Sequence, residues 1–155
     1  MIIIGEDENA DKVQSIEMST NKLSIATIRK IPAFLGEVDV VVHIAGGGLG
    51  LRDELLTAPD FLRLIHLNLV SAAEINRLIV PHMKKRRSGN LVHIGSIASS
   101  EGVGSVGYNT VKAGLAAYVR TLGRELAPFH IIATGILPGG FYAPGNAMDR
   151  LSKNN

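Results

Sequence analysis

The 155-residue chain contains no cysteine and no tryptophan, and only 5% of its residues are aromatic. Without cysteine there are no disulfides, no thiolate nucleophile and no thiolate metal site. A reducing compartment fits that composition, and a cytoplasmic protein is expected. Long apolar runs are also missing: no stretch approaches the ~18 residues a membrane helix needs. The opening MIIIGEDENA has no basic segment before its isoleucines, so it does not read as a signal peptide. Charge of one sign is scarce as well. Sixteen Lys and Arg face fourteen Asp and Glu, a formal net charge of +2, whereas nucleic-acid binding wants a strongly basic surface. The five histidines (His43, His66, His82, His93 and His130) show no H-E-x-x-H or comparable ligand spacing. No metal is expected, and His43 and His93, inside apolar strands, read as satisfied core residues.

What is present is a globular composition, 46% hydrophobic and 19% charged, of a length expected to form a single domain over 1–155. IIIG (2–5) and VQSIEM (13–18) read as short strands, and Ser19, Thr20 and Asn21 offer an N-cap for a helix through KLSIATIRKIPAFL. VDVVVHIAGGG (38–48) is an unbroken apolar run ending in glycines, as a central parallel strand requires. From 59 to 83, Phe61, Leu64, Ile65, Leu69, Ala72, Ile75 and Ile79 repeat at helical spacing. Lys84, Lys85, Arg86 and Arg87 follow, read as a solvated helix end. NLVHIGS (90–96) is a second buried strand, Val106 to Phe129 a second long helix, and IIATGILPGG a last strand. Alternating strands and helices predict an α/β fold, a parallel sheet with helices on both faces. Ligands of such sheets bind beyond the carboxyl ends of the strands, here at AGGG, Ser96 and PGG.

GYNTVKAG (107–114) sets Tyr108 and Lys112 four residues apart, one above the other on a helix. Both extend the apolar stripe of Val111, Leu115, Val119, Leu122 and Leu126. A buried ammonium must find partners or shift its pKa, and beside Tyr108 its charge favours the phenolate. Read alone, the spacing favours a snorkelling lysine and a tyrosine at the core's edge. Ser96, just past its strand, offers a hydroxyl to a substrate oxygen while the tyrosine moves a proton; its neighbours Ser99, Ser100 and Ser105 make it one of several small polar loop residues. Asn68 is a polar amide on an apolar helix face, a place where such a side chain commonly satisfies nearby backbone.

VDVVVHIAGG, Asn68 in HLNL, GNLVHIGSIAS, YNTVK and ILPGG occur in this order over roughly 38–145. Together they resemble the short-chain dehydrogenase/reductase family. The resemblance implies a Rossmann-like fold and an NAD(P)-dependent oxidoreductase passing hydride between nicotinamide and a carbonyl or secondary alcohol. It assigns Tyr108 as acid/base and Lys112 as its tuning cation and ribose ligand. Ser96 orients the substrate oxygen, and Asn68 holds a water that relays protons. Ala45 and Gly46 match the end of the family's Asn-Asn-Ala-Gly motif, and Pro138 and Gly139 its turn beside the nicotinamide. The two asparagines are here His43 and Ile44, and the threonine often found after the turn is absent, with Tyr142 and Ala143 nearby. HIAGGGLG, GSIASSEGVGSVGYNTVKAGLAAYVR and GILPGGFYAP are similar to a subgroup linked to surface-sugar and flagellin modification, which implies a sugar-derived substrate. The helices bearing Asn68 and Tyr108 build the family's oligomers, so a homodimer or homotetramer is expected.

The family's first strand and its Gly-x-x-x-Gly-x-Gly turn find no match. Glu6 and Asp7, after IIIG, stand where an acid would bind adenosine ribose and favour NAD over NADP, although EDENAD also reads as a solvated turn. GVGSVG (102–107) fits G-x-G-x-x-G, but lies in the loop before Tyr108 and reads as a mobile substrate loop. The alternative to an oxidoreductase is a non-catalytic homologue or assembly module that has lost cofactor binding.

Overall fold

The computed structural model describes residues 2–5, 14–15, 38–140, 142 and 144. The helix expected over 22–35, and Glu6 and Asp7, lie outside the described residues. The strands are β1 (Ile2–Gly5), β2 (Gln14–Ser15), β3 (Val40–His43), β4 (Gly89–Ile94) and β5 (Ile131–Ile136), in the sheet order β2-β1-β3-β4-β5. β3, β4 and β5 are parallel, paired through Val41 with Leu91 and Leu91 with Ala133. β1 differs from the expected all-parallel sheet: it lies beside β3 in the antiparallel sense, and β2 is antiparallel to β1. The link between β1 and β2 is too short for the crossover of a dozen or more residues that parallel neighbours need. The glycine run that was read as strand leaves the sheet after His43.

The long helix read from 59 to 83 is three consecutive segments. α1 (Ala58–Ile65) begins at Thr57, whose hydroxyl oxygen accepts from the Asp60 amide. A π-helical turn (His66–Val70) follows, then α2 (Ser71–Arg86). α2 stops where Arg87 adopts a left-handed φ of 58° and returns its amide to Lys84 and Met83. α3 (Val106–Leu126) runs into a 3₁₀ turn (Ala127–Phe129). The basic cluster does more than cap the helix in solvent. Arg86 pairs with Asp39 at 3.0 Å and reaches the Val38 carbonyl, Arg87 donates to the Pro128 carbonyl, and Lys84 stands 4.3 Å from the Phe129 ring centroid. These contacts close the amino end of the sheet.

Alternation within the strands places Val41, Leu91 and Ile131 on one sheet face, fully buried under Ile75, Ile79, Met83 and Leu126 of α2 and α3. Apolar burial of this kind contributes ~1.5–3 kcal/mol per large side chain. α3 comes close to β5 because Gly123 carries no Cβ, which would sit 3.1 Å from the Ala133 carbonyl oxygen. The same alternation puts His43 and His93, adjacent in register, at the upper end of this buried face. Their rings stack at 4.4 Å between centroids. Asn76 of α2 binds both, through Oδ1 to His43 Nε2 at 2.8 Å and through Nδ2 to His93 Nε2 at 3.2 Å. Nδ2 also donates to the Tyr118 hydroxyl at 3.1 Å. His43 is satisfied as expected. His93 is not: its buried Nδ1 makes no hydrogen bond of acceptable geometry, although the Thr134 backbone lies near enough to favour the charged ring.

Burial holds both rings neutral. Desolvation, reinforced by His93, lowers His43 from 6.5 to about 3, and desolvation lowers His93 to about 4. Histidines with depressed folded pKa values take up protons on unfolding, so their stabilisation is complete above about pH 6.5 and drains away toward the folded values. Each ring should cost about 2 kcal/mol of stability between about pH 6.5 and pH 5. Urea unfolding at the two pH values should show the loss, and a His43→Asn/His93→Asn protein should show a flatter profile. Equal midpoints in the parent protein would contradict neutral burial.

Candidate active site

Five of the site residues expected from the sequence, Ala45, Gly46, Ser96, Pro138 and Gly139, lie just past the carboxyl ends of the three parallel strands, and Asn68, Tyr108 and Lys112 come from helices. Ala45 to Gly48 follow β3, Ser96 follows β4, and Pro138 and Gly139 follow β5. Two backbone bonds hold the exits of β4 and β5 together, Gly95 N–H to the Ile136 carbonyl at 2.8 Å and Ile97 N–H to the Pro138 carbonyl at 3.1 Å. Ser96 caps a 3₁₀ turn (Ile97–Ser99) and accepts the Ala98 amide at 3.1 Å, and α3 packs against that turn. Its hydroxyl hydrogen has no acceptor among the described residues and can donate to a ligand oxygen. The turn after β3 needs glycine at Gly47 (φ 139°), a region that side-chain-bearing residues rarely adopt.

Asn68 is brought to this turn by the π segment. An α-helix closes each bond four residues back, whereas here the Ser71 amide reaches the His66 carbonyl, five back. Such one-turn π bulges concentrate at functional sites. The buried Asn68 side chain accepts from Gly47 N–H at 3.0 Å and donates to the Gly47 carbonyl at 2.9 Å and to the Leu64 carbonyl at 3.0 Å. Both amide protons are thereby used, and Oδ1 retains a second lone pair.

Lys112 is 4% exposed. Its ammonium donates to the Ile94 carbonyl at 3.2 Å, and its other two protons have no acceptor among the described residues. Burial pushes its pKa below the usual lysine range. The ammonium stands 5.7 Å from the Tyr108 ring centroid, within reach of a cation–π attraction. A Cβ on Gly46 would lie 2.9 Å from Asn68 Oδ1 and 3.1 Å from Lys112 Nζ, so the two polar groups converge on the space this glycine leaves open. The Tyr108 ring is half-buried between Gly48 and Gly104, where added Cβ atoms would meet it at 3.8 and 2.9 Å.

The loop before Tyr108 is tied down. Asn109 accepts the Gly104 amide at 2.9 Å and donates to the Glu101 carbonyl at 2.6 Å. GVGSVG, expected as a substrate loop, is thus bonded to the first turn of α3 through Gly104. This removes the sequence as a phosphate cradle, because the Gly104 N–H is already used and Gly107 is buried against Leu56 and Leu64. Asn109 was not singled out from sequence; an Asn directly after Tyr108 carries no periodic signal, though its position beside a glycine loop is where side chain to backbone bonds form. Asn76 was missed too, a second amide on the apolar face of the same helical run as Asn68. Exposed Tyr142 lies beyond the turn after β5. Among the described residues no group of three or more His, Cys, Asp or Glu could hold a metal, and no helix is long and apolar enough to cross a membrane.

The chain is similar to known proteins over most of its length. The chain is 30% identical over 137 residues to a 3-ketodihydrosphingosine reductase of Bacteroides thetaiotaomicron, covering 86% of this chain and 51% of the relative. It is 30% identical over 148 residues to a 2-dehydro-3-deoxy-L-rhamnonate dehydrogenase (NAD(+)) of a Sphingomonas strain, covering 94% and 59%. A solved 7α-hydroxysteroid dehydrogenase, complexed with NADH and 7-oxo glycochenodeoxycholic acid, superposes with a TM-score of 0.69 at 30% identity, over 75% of this chain and 47% of that one. The chain thus spans about half the length of these relatives. The sequence model of the short chain dehydrogenase family matches residues 4–154, and this chain belongs to that family.

Proposed function

We propose that the protein is an NAD(P)-dependent oxidoreductase that interconverts a carbonyl and a secondary alcohol on a small, sugar-derived molecule. The observation that carries this reading is the buried Lys112 ammonium, short of acceptors, facing the gap at Gly46 beside Asn68 and Tyr108. A buried cation in that state calls for oxygen ligands. A cofactor ribose supplies such oxygens, and the small residues Ala45 and Gly46 leave room for its approach. Support for the cofactor class comes from relatives named or solved with NAD(+) or NADH. Support for a sugar-like substrate comes from a rhamnonate dehydrogenase and a D-xylose 1-dehydrogenase of Caulobacter vibrioides among the relatives.

The nicotinamide supplies the hydride acceptor or donor. The chain's residues handle the proton and the geometry. Tyr108 stands at the amino end of α3 and is the acid/base toward the substrate oxygen, while Ser96 donates its free hydroxyl hydrogen to the same oxygen and fixes its direction. Lys112 adds positive charge behind the phenol and binds the ribose. The unused lone pair of Asn68 accepts from a water that passes protons between Lys112 and solvent. Pro138 and Gly139 line the nicotinamide's side of the crevice. No Gly-x-x-x-Gly-x-Gly turn occurs in these 155 residues, so the pyrophosphate end of the cofactor has no assigned ligands here. The second reading is a non-catalytic homologue or assembly module without cofactor binding. The proposal extends to a cytoplasmic homodimer or homotetramer.

Titration of NADH and NADPH, followed by nucleotide fluorescence, separates the two readings: saturable binding that weakens at least about tenfold in Lys112→Ala is expected. No binding at millimolar nucleotide would sink the oxidoreductase reading for this chain. Tyr108→Phe should keep cofactor affinity and lower turnover of a carbonyl substrate by about 10²–10⁴-fold. Turnover within a few-fold of the parent would remove Tyr108 as the acid. Gly46→Ala should weaken cofactor binding as Lys112→Ala does, because the new methyl group fills the gap between Asn68 and Lys112; unchanged affinity would show that the ribose is held elsewhere.

A further inference from the structure

Beneath the Asn68–Lys112 pair lies a second polar layer that the proposed chemistry does not use. Asn76, His43, His93 and Tyr118 form a closed cluster between the sheet and both long helices. Its position is specific. His43 and His93 are partners in register, the last rung at which β3 and β4 remain paired. Gly46, at the open gap, is three residues beyond His43, and Ile94, whose carbonyl receives Lys112, directly follows His93. Whatever sets the spacing at this rung sets where both departing segments begin.

We propose that Asn76 is a positioning residue: by binding both histidines and Tyr118 it fixes the exits of β3 and β4, and through them the placement of the Gly46–Gly47 turn relative to the Lys112 ammonium. Its consequence for cofactor binding rests on the nicotinamide reading; its structural content does not. The proton count makes the arrangement definite. With Asn76 Oδ1 toward His43, that ring carries its proton on Nε2. With both Nδ2 protons donated to His93 Nε2 and the Tyr118 oxygen, His93 carries its proton on Nδ1. The two stacked rings are therefore opposite tautomers, and one amide orients both. Among the described residues the titratable groups around the cluster are few. β3 and β4 supply the two rings, α3 supplies Tyr118 and, higher up, Lys112, and β5 contributes only the Thr134 backbone.

The test uses the full chain labelled with ¹⁵N. Imidazole correlation spectra at pH 7 should show His43 as the Nε2–H form and His93 as the Nδ1–H form; identical tautomers would overturn the assignment. Asn76→Leu, of similar volume, should shift the Lys112 ¹⁵Nζ resonance and speed exchange of the Gly47 amide about tenfold or more, with the α3 amides beyond Leu122 unchanged. Tyr118→Phe, which removes one oxygen, should shift both signals in the same direction by less. If Asn76→Leu does not fold, Tyr118→Phe decides alone. Unchanged Lys112 and Gly47 signals in the folded variant would overturn the proposal. NADH affinity is read in parallel: loss in the variant with binding in the parent supports the cofactor consequence, and no binding in the parent counts against the nicotinamide reading while the resonance data still decide the role of Asn76.

Discussion

The grip of Asn68 on both backbone groups of Gly47 is the contact on which the site's geometry depends. A glycine-rich turn has little of its own to define it: no side chains to pack and a wide choice of backbone angles. One buried amide that both accepts from Gly47 N–H and donates to its carbonyl removes that freedom. It can do so only because the π turn brings the side chain out of the helix toward the strand exit, while the third bond, to the Leu64 carbonyl, ties the amide back to its own helix. The strand end, the helix and the Lys112 ammonium thereby share one frame.

Much of this was legible in the sequence, for identifiable reasons. The apolar runs at 38–48 and 90–96 and the helical readings at 59–83 and from Val106 to Phe129 report burial, which is a local property of each segment. The order of segments then constrains topology strongly, since parallel strands demand the intervening helices. The placement of Ala45, Gly46, Ser96, Pro138 and Gly139 at strand exits followed from that order alone. What was not legible is pairwise. The antiparallel sense of β1 depends on which strand it meets, and the end of β3 at His43 depends on the backbone partners of the glycines. The π turn leaves no trace in periodicity, because one inserted residue in a helix of nearly thirty blurs the apolar stripe without breaking it.

The histidines illustrate the same limit from the other side. Their location in apolar strands predicted burial correctly, and the satisfaction expected of both rings holds for His43 but not for Nδ1 of His93. Satisfaction is a property of partners, and the partner was an asparagine on a helix 33 residues away. Asn76 and Asn68 both interrupt an apolar face with an amide, eight residues apart on one helical run. A single such residue reads as an accident of packing; two at about two turns' separation describe two polar layers crossing from helix to sheet.

The two layers differ in what they leave unfinished. In the lower one, Asn76 uses its oxygen and both amide protons within the protein, so the layer needs no ligand to be stable, and His93 Nδ1 is left without a partner among the described residues. In the upper one, the second lone pair of Asn68 Oδ1 and two protons of Lys112 face the space at Gly46 without protein partners among the described residues. Leaving a buried ammonium short of acceptors is costly, on the order of several kcal/mol when nothing else compensates. The fold accepts this cost at one layer and supports it from below with a nearly saturated one, so its unmatched donors are gathered beside Tyr108, at the space that Gly46 leaves open.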